Sequence, residues 1–102
     1  MTAERFGSFR EFYPFYLSEH RNSMCRRLHF VGSTLALVCI ALTLVTLEWW
    51  WLAAAMVAGY GFAWAGHFFF EHNRPATFRY PLYSFVGDWV MYRDLLTRKL
   101  PF

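Results

Sequence analysis

At 102 residues the chain has room for a single domain, yet it is 57% apolar and 23% aromatic, above the roughly 45–50% apolar content of ordinary soluble domains. A globule this small has too little interior to hide that much apolar surface, which argues against a soluble enzyme and for lipid as a second apolar environment. The net charge of +3 comes from basic residues that flank apolar runs, and with no nucleic-acid motif present it gives no case for a nucleic-acid partner.

The first predicted element covers residues 6–19, where Phe6, Phe9, Phe12, Tyr13 and Tyr16 recur at helical steps. An apolar face made almost wholly of rings suits the headgroup level of a bilayer, so this segment reads as an amphipathic interfacial helix, with Pro14 a kink or a new start. Glu4, Arg5, Arg10, Glu11 and Glu19 break up the first twenty residues, so no N-terminal signal peptide is expected. A polar connector, His20 to Arg27, follows.

Two long apolar runs come next, residues 30–47 and 49–70, the second interrupted only by His67. At about 1.5 Å per residue each is long enough to cross a hydrocarbon layer of about 30 Å, the first barely and the second with tilt. Only Glu48 separates them, beside Trp49, Trp50 and Trp51, so the two spans form an antiparallel hairpin with an aromatic belt at its tip. Gly32, Ser33 and Ala36 on one run and Ala55, Gly59, Ala63 and Gly66 on the other allow close backbone approach. All ten Lys and Arg residues precede Leu28 or follow Asn73, which puts both chain ends on the cytoplasmic side. That membrane would be the bacterial inner membrane, or the endoplasmic reticulum in a eukaryote. After the turn-rich stretch Asn73-Arg74-Pro75-Ala76, residues 82–96 read as a second interfacial helix alongside the first, with Phe85, Trp89, Tyr92 and Leu96 on one stripe. The fold class is therefore an all-α integral membrane protein, one domain over residues 1–102. Cys25 and Cys39 are expected to be unpaired, Cys39 as a small hydrophobe and Cys25 beside Arg26 and Arg27.

All four histidines fall near one membrane face. His20 lies on the connector, His29 at the start of the first span, His67 in the last turn of the second and His72 just beyond. Antiparallel spans bring His29 and His67 to the same depth, and an ionisable group within a span is costly to bury without a function. Neutral imidazoles with a carboxylate suit iron, zinc or copper. His20, His29, His67 and His72 are the candidate ligands. Glu71 is read as a ligand, as a group orienting an imidazole, or as an ion-pair partner of Arg74. The Arg74 guanidinium is the candidate for binding a substrate carboxylate. The chain has no HExxH, P-loop, dinucleotide fingerprint or serine elbow.

The runs FREFYPFYLSEHRNSMCRRLHFVGS, GHFFFEHNRPATF and YPLYSFVGDWVMY, which take in most of the chain, resemble a short bacterial branch of the 2-hydroxy fatty acid dioxygenase family. Tyr16-x3-His20 through His29 and Gly66-His67-x3-Glu71-x2-Arg74-Pro75-Ala76 are the most specific pieces. The resemblance implies an Fe(II)-dependent, 2-oxoglutarate-independent α-oxidation that shortens a 2-hydroxy fatty acid by one carbon with O2. The family's iron-binding histidines match His20, His29 and His67, whereas at His72 the family more usually has lysine. A 2-hydroxy acid offers a chelating pair of oxygens while its acyl chain stays among the spans. Two spans alone make a poor pocket, so a homo-oligomer in contact with membrane lipid is expected. The competing reading is a non-catalytic hairpin that binds lipid or stabilises a membrane complex; a zinc-dependent lipid hydrolase or isomerase is a third.

Overall fold

The computed structural model describes residues 6–102, so Glu4 and Arg5, which entered the signal-peptide argument, lie outside the described residues. The described residues form four α-helices and no strand: α1 (Phe9–Ser18), α2 (Ser23–Thr46), α3 (Trp50–Gly66) and α4 (Pro81–Leu96). A π-helical turn, His67–Glu71, extends α3, and a short 3-10 turn, Ala76–Phe78, leads into α4. α2 and α3 form the expected antiparallel hairpin.

Local chemistry explains the boundaries. The Ser8 side chain accepts a hydrogen bond from the Glu11 amide and starts α1. The helix then runs through Pro14 without a break, so no new start separates its halves. α2 begins seven residues earlier than the apolar run that marked it. The Asn22 side chain accepts from the Met24 and Cys25 amides, and this cap draws the arginine-bearing half of the supposed connector into the helix. At the far end, Leu47 adopts a left-handed conformation (φ 59°) that closes α2 before Glu48.

Small residues set how closely α2 and α3 approach. A Cβ at Gly32 would lie 2.8 Å from the Ala58 carbonyl oxygen, and one at Gly66 2.9 Å from the Cys25 sulfur. Cys25 is fully buried in that contact, not displayed in an open basic segment, and both cysteines are free. The rest of the hairpin surface is uncovered. Only six residues of α2 are buried, although its apolar window has a mean hydropathy of 2.2.

α1 and α4 pack beside each other against the open end of the hairpin, around a core of Phe12, Tyr16, Ala76, Met91 and Leu95. The face that α4 turns to this core is Ser84, Gly87, Met91 and Leu95, not the aromatic stripe. The stripe is turned partly toward the hairpin, where Tyr92 stacks on Phe30 at 4.8 Å and its hydroxyl meets the Thr34 hydroxyl at 2.8 Å. Gly87 is required where α1 meets α4, because a Cβ there would lie 2.9 Å from the Tyr16 ring.

Gly32 and Gly61 lie on opposite sides of this packing, since a Cβ at Gly61 meets nothing within 4 Å. Unfolding in detergent should show Gly32→Ala destabilised by about 1–3 kcal/mol through overpacking. Gly61→Ala should be neutral or stabilised by up to about 1 kcal/mol from helix propensity.

Candidate metal centre

Three chain segments deliver one imidazole each to the open end of the hairpin. His20 follows α1 in the short link to α2, and Arg26 holds that link by donating to the carbonyls of His20 and Arg21, each at 2.9 Å. His29 stands two turns into α2, and His67 opens the π turn at the end of α3. A π turn widens the helix locally and is frequent at functional sites. Here the His67 carbonyl accepts from the amides of both His72 and Asn73.

All three rings are buried, and one ring nitrogen from each lies within 4.8 Å of the other two. The ring planes meet nearly at right angles, with centroids 4.5 to 5.1 Å apart. Each Nδ1 is already engaged. His20 Nδ1 lies 2.6 Å from the Tyr16 carbonyl oxygen, His29 Nδ1 3.0 Å from that of Cys25, and His67 Nδ1 2.7 Å from Asn73 Oδ1. Carbonyl oxygens only accept, so these contacts place the proton on Nδ1 of each ring. The Asn73 amide nitrogen donates to the Glu19 backbone and side-chain oxygens, at 3.1 and 3.3 Å, which orients its own oxygen toward His67. In the neutral form of each ring this leaves the lone pair on Nε2.

The consequence appears between His20 and His29, whose Nε2 atoms are 3.2 Å apart. Two lone pairs at that distance repel unless a cation lies between them. A proton is a poor candidate, because burial, and secondarily the neighbouring imidazoles, push the His20 pKa well below its usual value. A metal ion fits. Two nitrogens each about 2.1 Å from one ion sit roughly 3.0–3.4 Å apart at tetrahedral or octahedral angles. Beside the rings is a cavity of about 10 Å³, lined by the three histidines, Tyr16, Ser84 and Asp88. The Ser84 hydroxyl oxygen, which is buried, has no hydrogen-bond partner among the described residues. The donor set therefore suits one metal ion, with an orphaned hydroxyl beside it.

The other residues singled out in the sequence lie around this centre. Glu71 stands outside the group of three, and its carboxylate accepts from the Asn22 backbone amide, clamping the π turn to the start of α2. Among the described residues it forms no ion pair with Arg74. His72 is exposed and left-handed (φ 59°) just after the π turn, and the structure does not bring it to the other three. Arg74 is exposed and lines neither this cavity nor the larger one beside it.

Two participants escaped the sequence reading. Asn73 looked like a turn residue, and Asp88 was not singled out within the second interfacial helix. Asp88 accepts a hydrogen bond from the Tyr16 hydroxyl, whose ring stacks on His20 at 4.0 Å. Burial raises the Asp88 pKa to about 6. The available signal was its position between Phe85 and Trp89, a lone carboxylate within an aromatic stripe.

The family described as "2-hydroxy-palmitic acid dioxygenase Mpo1-like" matches residues 6–100. No curated protein and no solved structure matches the chain.

The two shifted groups slope stability with pH in opposite directions. His20, depressed when folded, contributes stability at neutral pH that is lost as pH falls below the ordinary imidazole value of about 6.5. Asp88, raised when folded to about 6, contributes stability below the ordinary carboxyl range that is lost as pH rises through about 6. Metal-free protein unfolded in detergent between pH 7 and 4 should therefore lose stability less steeply as His20→Gln and more steeply as Asp88→Asn.

Proposed function

The chain belongs to the Mpo1-like family, and on that premise we propose that it is an Fe(II)-dependent, 2-oxoglutarate-independent dioxygenase that converts a 2-hydroxy fatty acid to the acid one carbon shorter. The observation that carries this reading is the convergence of three buried imidazoles whose Nδ1 atoms are all occupied, leaving three Nε2 lone pairs for one ion. A non-catalytic hairpin gives no reason for such a convergence.

His20, His29 and His67 are the proposed ligands, and the bound iron would supply activation of O2. Held by these three nitrogens, the ion would remain open to a chelating 2-hydroxy acid and to O2. The oxidation balances with one O2, yielding the shortened acid, carbon dioxide and water. Tyr16, Asn73 and the Cys25 carbonyl fix the tautomers and orientations of the rings, as acceptors around metal-bound imidazoles do. Asp88, at the edge of the same cavity with a pKa near 6, is suited to exchange the substrate hydroxyl proton. Glu71 acts on the site by holding the π turn against the start of α2. Arg74, at the surface, would attract the substrate carboxylate to the mouth.

We read α2 and the helix Trp50–Glu71 as the two membrane spans, a reading supported by their length and hydropathy and by their outward faces. Leu44 and Val45 are 71% and 80% exposed with no protein to cover them. Trp50 and Trp51 stack at the hairpin tip, where an interfacial belt belongs. The distribution of Lys and Arg supports reading the histidine centre and both chain ends as cytoplasmic.

Purified protein loaded with iron without air should bind about one ion per chain and, given 2-hydroxypalmitate and then air, yield pentadecanoate. His67→Ala should abolish stoichiometric iron. Asn73→Ala should keep the ligands but weaken iron binding roughly 10–100-fold. A fully iron-loaded protein that forms no shortened acid would overturn the proposal.

A further inference from the structure

A second, apolar cavity of about 150 Å³ opens off the histidine pocket and shares His29, Tyr60, Ala63 and Asp88 with it. Its α2 wall is His29, Ser33, Ala36 and Ile40, which recur on one helical face. Ala55, Met56 and Gly59 of α3 line the opposite wall, and Phe85 and Trp89 of α4 form a third. The polar lining gathers at the histidine end. Beyond Ala36 the α2 and α3 walls are Ile40, Ala55 and Met56.

From this geometry we infer that the groove holds the extended acyl chain of the substrate, and that Gly59 sets how long a chain it accepts. The inference rests on the fatty-acid reading above. At 1.5 Å per residue the α2 wall from His29 to Ile40 is about 16 Å long. That is close to half of a hydrocarbon core of about 30 Å, the depth that the acyl tails of one leaflet fill. A 2-hydroxy acid seated with its polar end at the histidines would lay its tail along this wall.

Gly59 supplies an independent observation. Gly32, Gly66 and Gly87 are each needed where two elements touch, because a Cβ there would meet another atom at 2.8 or 2.9 Å. Gly59 is different. A Cβ there would have a single neighbour within 4 Å, the Ala36 Cβ, at an ordinary 3.8 Å. Helix packing does not require a glycine at this point, yet the residue faces the groove opposite Ala36, about 10 Å along α2 from His29. Its missing side chain leaves the groove open past its midpoint. A leucine there would close the far half and leave the histidine end free.

The test compares wild type, Gly59→Leu and Gly61→Leu, each loaded with iron and kept free of O2. Binding of 2-hydroxypalmitate and 2-hydroxydecanoate is measured, and air is then admitted to read turnover. Each methylene excluded from an apolar site loses roughly fourfold in affinity. Gly59→Leu should thus lower the preference for the long acid over the short one by about tenfold or more. Gly61→Leu, on the outward face, should keep the wild-type preference. An unchanged preference in Gly59→Leu, an equal loss in Gly61→Leu, or no binding of either acid to wild type overturns the groove assignment. If Gly59→Leu fails to hold iron, Gly59→Val replaces it in the same comparison. Wild type that binds and discriminates the acids but forms no shortened product sinks the dioxygenase reading and leaves the groove standing. Turnover with an unchanged preference does the reverse.

Discussion

Three hydrogen bonds from imidazole Nδ1 atoms to carbonyl oxygens constrain the whole open end of this hairpin. In the neutral form of each ring the bond leaves the lone pair on Nε2, and the fold gathers one ring nitrogen from each histidine within 4.8 Å of the other two inside a buried space. On its own this is an unfavourable arrangement, because desolvated acceptors face acceptors. It persists only where the surrounding structure overrides it and where a cation relieves it. The acceptors come from three places: a helix C-terminus at Tyr16, the preceding turn of the same helix at Cys25, and a side chain beyond α3 at Asn73. Losing any one of them frees a ring to turn and its proton to move to Nε2.

The packing around the centre serves this constraint. Gly66 lets α3 lie directly on Cys25, which brings the start of the π turn to the level of His29. Glu71 then ties the end of that turn to the amide of Asn22, so the N-terminus of α2 and the C-terminal extension of α3 are fixed to each other by a carboxylate at a helix N-terminus. Asn73 reaches across to Glu19 and brings α1 into the same knot. Arg26 grips the link that carries His20. Four chain segments thus meet through polar contacts at the one end of the molecule where both helices of the hairpin terminate.

Much of this could be read in the amino-acid order, and the failures have physical causes. The hairpin was legible because two uncharged runs flank a single Glu48, and antiparallel geometry alone puts His29 and His67 at one depth. The start of α2 was not, because arginines at the head of a helix look like a polar connector until the Asn22 cap is recognised. His72 was a candidate ligand at the end of the helix, yet one left-handed residue after a π turn sends it to the surface, and neither the π turn nor the reversal has a distinctive residue pattern. Asn73 and Asp88 were missed for a common reason. Both act through contacts 54 to 72 positions away in the chain, with Glu19 and Tyr16, and no local periodicity reports such pairs.

The placement of α4 shows why so small a chain can combine a polar centre with an apolar groove. Two antiparallel helices present only a furrow, and a pocket between them calls for a third wall. From sequence alone a second copy of the chain was the evident source of that wall, but α4 of the same chain supplies it, and the cavity needs no association of copies to exist. Its two faces divide the work. Gly87 and Met91 seat the helix on α1, while Phe85, Asp88 and Trp89 face the cavity. Asp88 stands where the polar and apolar parts of that cavity join, on a helix that borders both without contributing a histidine. A carboxylate there adds polarity at the end of the groove nearest the three imidazoles and none farther along. The groove thereby acquires a direction, polar at the histidines and apolar toward the hairpin tip, and an amphiphile entering it has one favourable orientation.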